Sequence, residues 1–119
     1  MQEDNRNRIR LPMECRVFIE VIAAQAGSNA EPEIAICQTL DLSASGLKVA
    51  VDRELTRHAI LQIGVELPDL AETLYLTGEV RWCRHTGGDK VRWYAGFELL
   101  NAHGSDIERW EALVRSLET

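Results

Sequence analysis

Alternation of apolar and polar residues, interrupted by turn signals, recurs along most of this chain and restricts it to short strands. From Met13 the pattern is strict. Met13, Cys15, Val17, Ile19, Val21 and Ala23 fall on one face, and Glu14, Arg16 and Glu20 on the other. Period two with β-branched residues predicts a half-buried strand. Residues 25–32, with Gly27, Ser28 and Asn29, read as a turn. Residues 33–40 read as the returning strand, with Ile34, Ile36, Thr39 and Leu40 as its apolar content.

Four more runs obey the same rule. Leu47, Val49 and Val51 alternate with Lys48 and Asp52, and a polar connection at 52–58 leads to Leu61, Ile63, Val65 and Leu67. A fifth run, residues 73–83, puts Leu74, Leu76, Val80 and Trp82 in phase. Carried without a break, that parity places Trp82 on the core face beside Val80. Residues 86–89 hold adjacent glycines, which supply the positive φ of a hairpin turn. Val91, Trp93, Ala95, Phe97 and Leu99 then share a phase within a sixth strand at 90–100.

The period changes near the end. Ser105 and Glu108 have capping-box spacing, and Ile107, Trp110, Leu113, Val114 and Leu117 recur at helical intervals. A helix over about 105–118 must lay that stripe on the sheet to be stable. The expected architecture is mainly β: six antiparallel strands closing into a small barrel, which removes exposed edges, with one C-terminal helix. Ahead of it, residues 1–12 lack apolar periodicity and are expected to form a flexible arm, with Leu11-Pro12 at the entry to a 13–119 domain.

A chain of 119 residues suits one domain. Its net charge of −6 argues against a DNA or RNA polymer as partner, which calls for excess Lys and Arg. Positive charge is nonetheless concentrated at Arg6, Arg8, Arg10 and Arg16, a local patch suited to a small anion. Three widely spaced cysteines, Cys15, Cys37 and Cys83, give neither a zinc motif nor a disulfide framework. They predict reduced, buried thiols. Residues 1–5 are polar and no long apolar run occurs, so the expectation is a cytoplasmic protein without membrane insertion.

Catalysis has little support. His58, His85 and His103 stand in separate loops, with no metal or nucleophile motif around them. Binding chemistry is better represented. Arg6 and Arg10 offer planar donor forks that pair with phosphate or with the O6/N7 edge of guanine; alternatively they belong to a solvated basic tail. Asp41 is an acceptor-only carboxylate matching the N1–H and N2–H donors of guanine, with the Ser43 hydroxyl two residues on and Gly46 allowing close approach. The alternative is an Asx turn in which Asp41 bonds its own backbone.

RxxxR at residues 6–10, followed by Leu11-Pro12, and DxSxxG at residues 41–46 together resemble the PilZ domain family. Residues 78–82 and 95–98 are similar to that family's closing hairpin. The resemblance implies a PilZ-like six-stranded barrel with a C-terminal helix that binds the bacterial second messenger cyclic di-GMP, a regulator of motility and biofilm formation. It implies that Arg6 and Arg10 clamp guanine and phosphate, that Asp41 and Ser43 read the other guanine edge, and that Gly46 shapes the loop. Arg8 and Trp82 are further candidates, Trp82 matching a position that stacks on guanine in some members. The place before RxxxR, arginine in many members, is Asn5 here, which leaves less charge to hold a stacked ligand dimer. The expected protein is a non-catalytic receptor without cofactor or metal. Ligand would order its arm and alter the surface shown to an unidentified downstream protein. The alternative is a nucleotide-independent adaptor in type IV pilus or flagellar motility, although the pilus-assembly members lack the arginine motif that this chain keeps.

Overall fold

The computed structural model describes residues 15–22, 33–67, 72–87 and 92–117. Within them the alternating runs form β1 (Arg16–Ile22), β2 (Glu33–Leu42), β3 (Gly46–Val51), β4 (Ile60–Glu66), β5 (Thr73–His85) and β6 (Trp93–Leu99), and the final stripe forms α1 (Ile107–Leu117). The strands close into an antiparallel barrel in the order β1-β2-β3-β6-β5-β4. Each of these strands therefore has two neighbours, and among the described residues no sheet edge is left to template pairing with another chain.

Most of the predicted phases face the interior. Val17, Ile19, Leu47, Val49, Ile63, Val65, Leu74, Leu76, Val80 and Phe97 are buried together. Strand β2 is the exception. Ile34 and Ile36 are 50% and 68% exposed, Leu40 is also exposed, and Ala35, Cys37 and Thr39 point inward. Of the residues expected to supply its apolar content, only Thr39 is buried. The register explains the choice of small inward residues: Ala35 faces Ile19 and Cys37 faces Val17, and those larger β1 side chains already fill the space.

Helix α1 packs on the barrel through most of its stripe, with Leu113 partly buried and Leu117, expected to pack with it, exposed. Ile107, Trp110 and Val114 are buried, and Trp110 is fully enclosed. Removing side chains of this size from water stabilises by about 1.5–3 kcal/mol each. The cap lies one residue later than the spacing suggests. Ser105 Oγ donates to Ala102 O (2.7 Å), while the first helical bond runs from Trp110 N to Asp106 O (2.9 Å). Asp106 also pairs with β5: its Oδ2 accepts from Tyr75 N and its N–H donates to Tyr75 O, both at 2.8 Å. That two-way contact with the sheet gives Asp106 the capping position in place of Ser105.

Candidate functional site

Two β-bulges decide which side chains reach the outer wall. In β2 the register slips between Thr39 and Asp41, so Leu40 is the extra residue and Asp41 pairs with Lys48. In β5 it slips between Val80 and Trp82, so Arg81 is extra and Trp82 pairs with Gly96. A bulge reverses the side-chain phase of the residues beyond it. Trp82 thus leaves the core face that unbroken parity gave it and turns outward. Because Lys48 also pairs with Gly96, one outward row runs Asp41, Lys48, Gly96, Trp82 across β2, β3, β6 and β5.

Glycine at position 96 is what lets the indole lie down. A Cβ built there would overlap the Trp82 ring. Cations gather around this aromatic surface. Lys48 Nζ is 5.9 Å from the Trp82 ring centroid and 5.5 Å from that of Tyr94, and the Arg84 guanidinium carbon is 4.9 Å from Trp82. These distances lie within the range where a ring quadrupole attracts a cation.

The 41–46 segment borders the same wall and is held rigidly from within. Ser43 N donates to Gly46 O (2.9 Å), and Gly46 N donates to Ser43 Oγ (3.2 Å). Ser43 is buried, so its hydroxyl works inside the turn. Its carbonyl accepts from Trp110 Nε1 at 3.1 Å, which ties the turn to α1 across the barrel end. Gly46 is required by close packing rather than by positive φ, since a Cβ there would stand 2.7 Å from Phe97 O. The close approach that this glycine permits within the barrel is that of the neighbouring strand.

Beside the turn lies an open groove of about 350 Å³, bordered by Ser45, Gly46, Lys48, Arg81, Trp82 and Glu98. That is within the range of small-molecule sites. Arg81 Nη1 is 2.6 Å from Glu98 Oε1 and 4.0 Å from Glu79 Oε1, and Glu79 Oε2 is 3.0 Å from His58 Nδ1. Of the expected site residues, Asp41, Ser43, Gly46 and Trp82 are brought to this end of the β2-β3-β6-β5 wall. Arg6, Arg8 and Arg10 lie outside the described residues. Lys48, Arg81 and Glu98 join the site without belonging to either motif; Lys48 carried a signal, as the outward residue of an alternating run.

Cys15 and Cys37 belong to the core, whereas Cys83, expected to be buried with them, is only half-buried. Burial pushes the Cys15 thiol up, partly opposed by its hydrogen bond with the Thr39 side chain. Burial, reinforced by the Asp52 charge, pushes Cys37 up to about 12. Neither supplies a thiolate near neutral pH. Among the described residues, no cluster of three or more His, Cys, Asp or Glu side chains is arranged to hold a metal, and no helix is long and apolar enough to cross a membrane.

The molecule is thus a closed barrel with an aromatic and charged groove on one wall and an adjoining loop braced by the terminal helix. The chain belongs to the PilZ domain family, whose model matches residues 4–116 and whose members are receptor and adaptor domains rather than enzymes. Solved structures similar to it include that of the Bacillus subtilis inhibitor of motility MotI/DgrA, with a TM-score of 0.64 and 16% identity over 92% of this chain. The chain spans 50% of that protein's length, and at this identity the likeness is one of fold. No curated protein matches the chain by sequence.

Proposed function

We propose that this protein is a cyclic di-GMP receptor that acts as an adaptor in bacterial motility or biofilm signalling. The observation that carries it is the outward row joining Asp41 to Trp82 beside a braced DxSxxG turn. Neighbouring strands are about 4.8 Å apart, so the row spans roughly 14 Å. An acceptor for guanine N–H groups therefore stands at one end and a stacking surface at the other, with Lys48 between them. Arg6 and Arg10 supply the guanidinium forks for phosphate and for guanine O6/N7, with Arg8 adding charge. Ser43 and Gly46 serve by fixing the loop. Ligand draws residues 1–12 onto the wall and changes the surface offered to a downstream protein. No cofactor, metal or nucleic-acid polymer enters this scheme, and its setting is the cytoplasm, where the messenger is made.

The family match supports the scheme, because residues 4–116 take in both motifs. Titration calorimetry with cyclic di-GMP tests it. Saturable heat at micromolar protein is expected, and a flat titration sinks the receptor assignment.

A second reading is a nucleotide-independent adaptor. It is favoured by an apolar outer face far from the groove, where Ile36, Phe18, Gly64 and Tyr75 share one cross-strand row. Ile36 and Tyr75 are 68% and 63% exposed there. A partner captured equally with and without cyclic di-GMP would select this reading.

A further inference from the structure

Arg81 and Glu98 form a charged pair on the groove that neither motif includes. Their side chains are half exposed, at 51% and 52%, and such pairs hold together weakly in water. Arg81 also has a second carboxylate within reach, Glu79, so it can leave Glu98 without becoming an isolated charge. Glu98 pairs with Gly46 on one side and Glu79 on the other, which fixes it at the turn end of the groove. It stands two residues from Gly96, the glycine under the Trp82 indole. Along a strand that separation is about 7 Å, so Glu98 stands within reach of the edge of a purine lying against Trp82.

The geometry points to a second base subsite, in which Glu98 reads the N1–H and N2–H donors of guanine and Arg81, released from Glu98, turns to the adjoining phosphate. A carboxylate only accepts hydrogen bonds. Guanine offers it two adjacent donors, whereas the Watson–Crick edge of adenine offers one donor and one lone pair. The subsite therefore selects guanine over adenine at the base that Asp41 does not reach. This rests on the cyclic di-GMP reading and extends it to residues outside the family motifs.

The experiment titrates wild type, Glu98→Gln and Arg81→Ala with cyclic di-GMP and with cyclic di-AMP, and checks each fold by thermal unfolding. The wild type is expected to prefer the guanine ligand. Glu98→Gln is expected to lose about tenfold in cyclic di-GMP affinity while holding or gaining for cyclic di-AMP, so that the preference narrows. Arg81→Ala is expected to bind cyclic di-GMP more weakly and with a shallower dependence on salt. An unchanged preference in Glu98→Gln, including an equal loss for both ligands, overturns base reading by Glu98. An unchanged salt slope in Arg81→Ala overturns the phosphate role. A wild type silent toward both ligands overturns the receptor assignment itself, and the subsite with it.

Discussion

Asp41 and Trp82 face outward on the same cross-strand row, and each is turned there by a bulged residue immediately before it, Leu40 and Arg81. Between them Gly96 leaves the space in which the indole rests. Gly96→Ala should therefore displace Trp82 while the barrel stays closed. The expected result is a shifted Trp82 indole N–H resonance, a stability loss of about 1–3 kcal/mol from overpacking, and at least a tenfold loss of cyclic di-GMP affinity. An unmoved indole resonance would show that the ring does not depend on the glycine.

The two motifs are expected to contribute separately. In the proposed site, Arg10→Ala would remove a charge-assisted pair with phosphate or base, and Asp41→Ala would remove the acceptor at the far end of the row. Hydrogen bonds to charged groups are worth about 1.5–3 kcal/mol, so each variant should lose roughly ten- to a hundredfold in affinity. Calorimetry on the variants decides it. A variant with wild-type affinity loses its place in the site.

The barrel was legible because period-two runs bounded by turns allow few other outcomes, and α1 because Trp110 and Val114 change the period. The outer wall was harder to read. A bulge adds a residue without altering composition, and Trp82 happens to continue the even-numbered apolar series Leu74, Leu76, Val80 across it. Ile34 and Ile36 mislead in the same way, since their size suggests the core while the register gives the inward places to Ala35 and Cys37. DxSxxG located the turn, yet the hydrogen bond from Trp110 that braces it crosses 67 positions of sequence. Arg81 and Glu98 meet only because β5 and β6 pair.

Trp110→Phe probes that brace. Phenylalanine keeps most of the buried ring but leaves the Ser43 carbonyl without its indole donor. A buried acceptor stripped of its partner costs about 1–3 kcal/mol. Urea unfolding should show that loss, and amide exchange at Ser43 and Gly46 should accelerate more than exchange in β4. Uniform acceleration would mean that the tryptophan stabilises by packing alone.

His58 is a non-glycine residue in the left-handed region, with φ of 73°. Its backbone N–H donates to Val80 O at 2.7 Å, a bond that survives any side-chain change except proline. Left-handed backbone costs an L-residue roughly 1–2 kcal/mol, partly offset in glycine by its greater unfolded-state entropy. His58→Gly should thus raise stability by about 0.5–1 kcal/mol. Denaturant midpoints at equal m-value test it, and a lowered midpoint would show that the side chain matters more than the strain.

Cys37 makes stability depend on alkaline pH. Its thiol is buried, donates to Val17 O at 3.6 Å and is pushed from 9.0 to about 12 by burial and the Asp52 charge. The folded chain therefore holds the proton more tightly than the unfolded one. Below about pH 9 both states keep it, and the contribution is complete. Above that the unfolded state loses its proton first, so the protonated folded state loses ground until the pH passes about 12. The slope in this window approaches 1.4 kcal/mol per pH unit at most. Other groups also titrate there, so the measurement is a comparison of urea unfolding at pH 8 and pH 10.5 for wild type and Cys37→Val. The variant should lose less stability over that interval, because valine fills the same inward site with nothing to ionise. Equal losses in the two proteins would place the alkaline sensitivity elsewhere in the fold.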